Sequence, residues 1–265
     1  QVGYDPDFHA QASNAPSKEE LEQRRQEIAD NGFGIQKVEL LPGNVGYLEV
    51  RGFGPGELVS DAFDAAMNLL SGSEALVLDL RRNGGGEPDS VAYLMSHFFA
   101  VGDVRHLNDI YTRPGDSTRQ YWTTPSVKGR YSKPVYVLTS ARTFSGGEEC
   151  AYDFQTQKRA TLVGETTGGG ANPGDGFALD KGFAVFIPTG RAINPVTHGN
   201  WEHVGSKQLA GGVDRVHVGP DHADARQFAQ AGQLQRDLPR LPAIVGVQEG
   251  DIVASDQRQA GIPGR

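Results

Sequence analysis

The chain has 265 residues and a formal net charge of −8. Its length exceeds the usual single-domain size of about 100 to 200 residues, so we expect one large α/β domain or one domain with appendages. The 25 Lys and Arg residues are scattered without a long basic run, which argues against nucleic acid as a partner. The single cysteine, Cys150, excludes an internal disulfide and a cysteine-rich zinc site. No stretch approaches the roughly 20 apolar residues that a membrane span requires.

The N-terminal residues, 1–34, have the pattern of an appendage. Ser17 and Glu20 are spaced as a capping box, and helix-forming residues continue to Asp30. The sequence therefore predicts a short, charged surface helix in this segment. Because the chain opens at Gln1 without an initiator methionine, we interpret this end as cut or processed.

Residues 35–205 alternate between short apolar runs rich in β-branched residues, which predict strands, and apolar residues at helical spacing, which predict helices. The predicted strands cover 37–41, 45–50, 75–80, 134–139 and 160–163, the predicted helices start near 58, 88 and 148, and a hairpin covers 177–187. This alternation predicts an α/β fold in which helices pack on a mostly parallel sheet. The helix near 58 has one apolar face, and Asp64 is among the residues expected to point outward. Residues 101–133 show no clean period and predict a long surface excursion.

Ser145 is the first candidate catalytic residue. It follows a predicted buried strand and a short turn, and it precedes Gly146, Gly147 and a predicted helix. A serine at the start of a helix lies beside unpaired backbone N–H groups and the positive end of the helix dipole, which can stabilise an oxyanion. Serine is also a favoured N-cap, so a purely structural role that satisfies the N–H of Gly147 or Glu148 stays open.

The run Asp79-Leu-Arg-Arg-Asn-Gly-Gly-Gly86 follows another predicted strand. A triple glycine at the carboxyl end of a strand lets backbone amides face a ligand in the crevice where open α/β sheets bind substrates. It is a candidate for the second oxyanion donor. A phosphate loop is a less favoured alternative because no Gly-Lys-Ser/Thr follows, and a flexible turn is the simplest alternative.

Three motifs follow one another along the sequence. They are 75–86 (ALVLDLRRNGGG), 137–149 (VLTSARTFSGGEE) and 159–170 (RATLVGETTGGG). Together they resemble the tail-specific, or S41, family of serine peptidases, and within it the branch of interphotoreceptor retinoid-binding protein and tricorn core protease. The resemblance implies a crotonase-like α/β core, a nucleophile at Ser145, and an oxyanion hole built from the N–H of Gly146 and of a residue in the triple glycine, which we assign to Gly85. It also implies a peptide or unfolded-protein substrate, no cofactor, and a periplasmic or extracellular location.

The general base that the resemblance implies is missing from the matching positions. The tail-specific branch has a lysine within a Thr-x-Gly-Lys-Gly run, but the corresponding stretch here, Thr167-Gly-Gly-Gly-Ala171, contains none. The tricorn-like branch uses a histidine assisted by a glutamate, and the segment Asn200-Trp-Glu-His-Val-Gly205 implies Glu202 for the assisting role. The histidine itself is implied upstream of Gln1, outside this chain.

Other histidines offer alternatives. His9, His198 and His203 are candidates to replace the upstream base, but each matches only in residue type, without the context of a motif. His198, Glu202 and His203 also resemble a metal-ligand set, but their spacing departs from helical two-histidine patterns. We therefore expect surface histidines and no metal site.

Residues 206–265 depart from the family pattern. They are rich in Arg, Gln, Asp, Gly and Ala, and Phe228 is their only aromatic residue, so we predict a poorly ordered tail that arises from an altered reading frame.

Two other functions stay open. One is a non-catalytic ligand-binding module of the retinoid-binding type, since fold does not decide function. The other is an esterase of the α/β-hydrolase type, although Thr143 replaces the first glycine of its Gly-x-Ser-x-Gly motif.

Overall fold

The computed structural model describes residues 2–7 and 17–206. In chain order its strands are β1 (Val2–Tyr4), β2 (Ile35–Leu41), β3 (Val45–Val50), β4 (Ala75–Asp79), β5 (His106–Thr112), β6 (Ser117–Trp122), β7 (Val135–Thr139), β8 (Thr161–Gly164), β9 (Gly174–Ala178), β10 (Phe183–Pro188) and β11 (Gly190–Ile193). Its α-helices are α1 (Lys18–Asp30), α2 (Gly56–Leu70), α3 (Pro88–Ser96) and α4 (Gly146–Thr156). These bounds confirm the predicted alternation of strands and helices through the core.

The central sheet contains five strands in the order β2-β3-β4-β7-β8. β2 and β3 are antiparallel, whereas β3, β4, β7 and β8 run parallel to one another. Parallel neighbours need a crossover connection, and α2, α3 and α4 lie in the three connections along the chain. The mixed α/β fold with a mostly parallel sheet is therefore confirmed.

Helix α2 buries the apolar face that the sequence predicts, but Asp64 on this helix is also buried. Its carboxylate accepts hydrogen bonds from the Tyr93 hydroxyl (3.0 Å) and from the backbone N–H of Lys128 (3.2 Å). The expectation that Asp64 points outward is wrong, because partners remote in sequence satisfy its oxygens inside the protein. The fully buried side chains that surround this helix and the sheet include Leu48, Phe63, Leu70, Leu78, Leu94 and Phe154.

Two smaller sheets have the strand orders β11-β5-β6 and β1-β10-β9. The first contains an antiparallel hairpin, β5 and β6, within the region that the sequence predicts as an irregular excursion. The pattern was hidden because only Tyr121 is buried in β6, so no apolar alternation marks the strand. In the second sheet, β1 pairs with β10, which joins the first residues of the appendage to the predicted hairpin.

Helix α1 begins with the predicted capping box. The Glu20 N–H donates to Ser17 Oγ (3.1 Å), and the Ser17 N–H donates to Glu20 Oε2 (2.6 Å). None of its side chains is buried, which confirms a surface helix. No helix in the described part of the chain is long and apolar enough to cross a membrane. The predicted tail, 206–265, lies outside the described residues except for Ser206.

Candidate active site

Three loops meet at one edge of the central sheet because three neighbouring parallel strands end there. β4, β7 and β8 are adjacent and run in the same direction. The triple glycine follows β4, Ser145 follows β7, and the stretch 167–171 follows β8. Parallel sheets collect such loops at the carboxyl ends of their strands, which is where they bind substrates.

Ser145 occupies the start of α4 in an uncommon backbone conformation. Its φ is 51° and its ψ is −122°, a region that residues other than glycine rarely adopt and that functional turns enforce. The residue is half-buried. The N–H groups of Gly147 and Glu148 donate to the backbone carbonyls of Phe144 and Ser145, each at 2.9 Å. Ser145 and Glu148 also form a capping box at the start of α4, so the structural role of Ser145 as an N-cap stays open beside the catalytic one.

Asn83 ties the triple-glycine loop to the turn before Ser145. It is fully buried, its backbone carbonyl accepts from the Phe144 N–H (3.0 Å), and its Oδ1 accepts from the Gly85 N–H (2.8 Å). A methyl group added to Gly147 would lie 2.5 Å from that Oδ1, and one added to Gly85 would lie 2.6 Å from Ser145 Cβ. Only glycine fits at these two positions, so the two loops are in direct contact. Sequence reasoning did not single out Asn83.

Two backbone N–H groups beside Ser145 are available to a ligand. No hydrogen bond among the described residues engages the N–H of Gly86 or of Gly146. Gly86 forms a parallel β-bridge with Phe53, in which the Phe53 N–H donates to the Gly85 carbonyl and the Glu87 N–H donates to the Phe53 carbonyl. Because the neighbours of Gly86 make these bonds, its own N–H points away from Phe53. A methyl group added to Gly146 would lie 2.8 Å from the Gly86 carbonyl oxygen and 3.0 Å from the Gly86 nitrogen, so the two glycines are in direct contact. The N–H of Gly85, by contrast, is already engaged.

Glu148 is a fully buried carboxylate that sequence reasoning missed. Its Oε1 accepts from the Thr167 hydroxyl (2.6 Å) and the Gly169 N–H (2.6 Å), and its Oε2 accepts from the N–H groups of Gly170 (2.8 Å) and Ser145 (2.9 Å). Four donors compensate for the loss of water around the charge. The Ser-x-x-Glu spacing of a capping box was the available signal for this residue.

Glu202 holds the next part of the same loop. Its Oε2 accepts from the N–H groups of Ala171 (2.6 Å) and Asn172 (3.1 Å). Its Oε1 lies 3.6 Å from Nε2 of His203, whose side chain is 88% exposed. Among the described residues no hydrogen bond joins Glu202 to Ser145, so the structure brings Gly85, Gly146 and Ser145 together and leaves Glu202 on the adjoining loop.

The stretch after β8 offers glycines where a lysine base would lie. A methyl group added to Gly170 would lie 2.2 Å from Cζ of Phe144, so the aromatic ring before the nucleophile fills the space beside this loop. His9 lies outside the described residues. Within residues 2–7 and 17–206, no group of three His, Cys, Asp or Glu side chains is arranged to hold a metal ion.

A serine in a strained turn between a strand and a helix, at the carboxyl edge of a mostly parallel sheet, is typical of α/β enzymes that use a serine nucleophile. The family model of peptidase family S41 matches residues 44–207, a range that includes all three loops and more than half of the chain. The chain therefore belongs to peptidase family S41, which confirms the resemblance carried by the three sequence runs.

Curated relatives agree with this family, and a solved structure shares the fold. The chain is 29% identical over 162 residues to the carboxy-terminal processing protease CtpB of Bacillus subtilis, covering 60% of this chain and 32% of that protein. It is 28% identical over 165 residues to the chloroplastic carboxyl-terminal-processing peptidase 1 of Arabidopsis thaliana, covering 62% and 32%. The chain thus spans about a third of the length of these relatives. The structure of mature CPAF complexed with lactacystin matches the fold, with a TM-score of 0.53 and 15% identity over 66% of this chain and 48% of that chain.

Proposed function

We propose that the chain carries the catalytic core of a serine endopeptidase that hydrolyses peptide bonds through an acyl-enzyme on Ser145. The single observation that carries the proposal is the contact of Ser145 with a loop whose Gly86 N–H, together with the N–H of Gly146, is free to bind a ligand. Two amides that converge beside a nucleophile can stabilise an oxyanion. The relatives named as processing proteases support a peptide bond as the substrate.

In the proposed reaction, Ser145 Oγ attacks the carbonyl carbon of the scissile peptide while a general base accepts the hydroxyl proton. The carbonyl oxygen becomes an oxyanion that accepts hydrogen bonds from the N–H groups of Gly146 and Gly86. The base then protonates the leaving amine, and water hydrolyses the acyl-enzyme. We assign the second donor to Gly86 rather than Gly85, because the Gly85 N–H already donates to Asn83 Oδ1.

We propose a histidine as the general base, assisted by Glu202. Oε2 of Glu202 accepts from the N–H groups of Ala171 and Asn172. Within the described part of the chain, Oε1 accepts no backbone hydrogen bond, so it is the oxygen that would face the base.

The substrate in this proposal is a peptide or unfolded protein. We also propose that the core, residues 35–205, is of the crotonase-like type. Support for this architecture comes from the successive βα units of the parallel sheet and from the origin of the two oxyanion amides in loops after neighbouring strands. Family-level architecture does not set the reaction, so the nucleophile itself has to be tested.

A fluorophosphonate probe applied to the full-length protein tests the nucleophile. The wild type should become labelled, and Ser145→Ala should lose the labelling completely because the bond-forming oxygen is gone. Ser71→Ala is a matched control, since it removes an exposed serine at the end of α2, and it should label like the wild type. Persistent labelling of Ser145→Ala would refute the assignment. A full-length wild type that does not label would favour the non-catalytic ligand-binding module.

The variant Glu202→Gln tests the assisting carboxylate. Its amide oxygen can still accept from the backbone of the loop, but its charge can no longer stabilise an imidazolium. We expect the labelling rate to fall by at least roughly 10-fold while the unfolding transition stays close to that of the wild type. A labelling rate equal to that of the wild type would remove Glu202 from the proposed machinery.

A further inference from the structure

We propose that Glu148 is a positioning residue that fixes the backbone of Ser145 against the loop after β8, a role that rests on the proposed function. Glu148 lies on the first turn of α4, three positions after the nucleophile, and is fully buried. The contacts of its carboxylate are with backbone N–H groups and one hydroxyl. Its influence on the reaction is therefore exerted through the backbone of Ser145 and not on the substrate.

The hydrogen bonds of Glu148 saturate its carboxylate. Oε1 accepts two bonds of 2.6 Å from Thr167 and Gly169, and Oε2 accepts bonds of 2.8 and 2.9 Å from Gly170 and Ser145. An ionised carboxylate has about four acceptor positions and no donor, which matches a set of four donors. Such charge-assisted bonds are strong in a buried site. The set of donors therefore matches the two carboxylate oxygens and defines where they lie.

Oε2 is the point at which the nucleophile and the glycine loop are coupled, because it accepts from both Ser145 and Gly170. Holding the Ser145 N–H stabilises a residue whose φ of 51° lies outside the usual negative range. The next N–H along the chain belongs to Gly146 and is one of the two proposed oxyanion donors. Its direction therefore depends on the same anchored backbone.

Ser206 closes the network from the other end of the loop. Its hydroxyl donates to the backbone carbonyl of Glu148 (3.2 Å), and its N–H donates to Oγ1 of Thr167 (2.7 Å). The Thr167 oxygen thus accepts from Ser206 while it donates to Glu148, which fixes the direction of its proton. The loop after β8 is consequently bound to Glu148 directly and through a second residue.

The variant Glu148→Gln is the sharpest test because it keeps the shape and changes the hydrogen-bonding pattern. One acceptor oxygen becomes an NH₂ group, which must face two donors, so the bonds on one side of the site break. Asp64→Asn is the matched control. Asp64 is also a buried carboxylate that accepts from a hydroxyl and a backbone N–H, but on α2 and from Tyr93 and Lys128. Both variants are made in the full-length protein.

The first measurement is hydrogen exchange of individual amides by NMR. In Glu148→Gln the amides of Ser145 and Gly170 should exchange at least about 10-fold faster than in the wild type, whereas Asp64→Asn should leave them unchanged. The second measurement is fluorophosphonate labelling, separated into a maximal rate and a half-saturating probe concentration. Glu148→Gln should lower the maximal rate by roughly 10- to 100-fold with the half-saturating concentration within about 2-fold, because geometry and not probe binding is altered.

Unchanged exchange at Ser145 and Gly170 in folded Glu148→Gln would overturn the positioning role. So would a maximal labelling rate that falls no further than in Asp64→Asn. If Glu148→Gln does not fold, Glu148→Asp withdraws the carboxylate by one methylene and is judged by the same two measurements. A wild type that never labels, combined with faster exchange in the variant, would refute the proposed function and support the anchoring of Ser145 by Glu148.

Discussion

Glu148 and Glu149 are adjacent on α4 and both buried, yet their carboxyl groups have opposite surroundings. Glu148 accepts four hydrogen bonds from the nucleophile and the glycine loop. Glu149 instead interacts with Asp153, one turn further along the same helix, and with the Asn108 side chain of β5. Both oxygens of Asp153 lack a hydrogen-bond partner within the described residues.

The middle of α4 therefore favours protonated acids. Burial raises the pKa of Glu149 to about 7, an increase that Asn108 opposes and the charge of Asp89 assists. Burial, followed by the charge of Glu149, raises the pKa of Asp153 well above its ordinary value. None of these neighbours is a cation, so proton uptake is what removes the buried charge. Burial alone does not decide the charge of a carboxyl group; the donors around it do.

Removing the Glu148 carboxylate, which accepts four hydrogen bonds, should have the largest effect on the free energy of unfolding. Glu148→Ala leaves three backbone N–H groups and the Thr167 hydroxyl without their acceptor, and each buried orphan costs about 1 to 3 kcal/mol. We expect the free energy of unfolding, measured by urea denaturation, to fall by at least about 3 kcal/mol. Glu165→Gln is the control, because this exposed carboxylate accepts a single hydrogen bond within the described residues, from the Ala141 N–H. Equal losses in the two variants would contradict the comparison.

Glu149 and Asp153 should make the free energy of unfolding fall as the pH rises. The pKa of Glu149 is about 7 in the folded protein against an ordinary value of 4.5, so the folded protein keeps a proton that the unfolded chain releases. Its contribution is complete below about pH 4.5 and is lost as the pH rises through about 7. Glu149→Gln should flatten this dependence.

Urea denaturation of both proteins at a series of pH values from about 5 to about 8 measures that dependence. The wild type should lose stability relative to Glu149→Gln between about pH 5 and about pH 7, and the loss should level off above about pH 7. Identical pH slopes in the wild type and the variant would show that Glu149 carries no retained proton.

Removing one of the four donors to Glu148 should have a smaller effect on the free energy of unfolding. Thr167→Val deletes the hydroxyl that donates to Glu148 and that accepts from the Ser206 N–H. Loss of these two bonds should reduce the free energy of unfolding by about 1 to 2 kcal/mol. The pH dependence assigned to Glu149 should stay as in the wild type. A changed pH slope in Thr167→Val would show that the two sides of α4 are not independent.

Helices and strands with a clear hydrophobic period or capping motif could be predicted from the sequence, and those without such a signal could not. The capping box at Ser17 and the apolar runs of the central sheet marked their elements within a few residues. The strand that carries Tyr121 is mostly exposed, and β1 is fully exposed, so neither has an apolar pattern to detect. Asp64 was placed outside because a carboxylate on a helix is usually solvated, whereas its partners come from distant parts of the chain.

The sequence by itself determined that Ser145 follows a strand and begins a helix, since apolar runs, turn residues and glycines encode those local structures. It also determined that a triple glycine ends the neighbouring strand. Only the tertiary structure decided which glycine N–H remains free beside Ser145, because Asn83 occupies the N–H of Gly85 and leaves that of Gly86. It likewise decided that the Glu148 carboxylate accepts four hydrogen bonds, because three of the four donors belong to the loop after β8, which meets the start of α4 only when parallel strands bring their ends together.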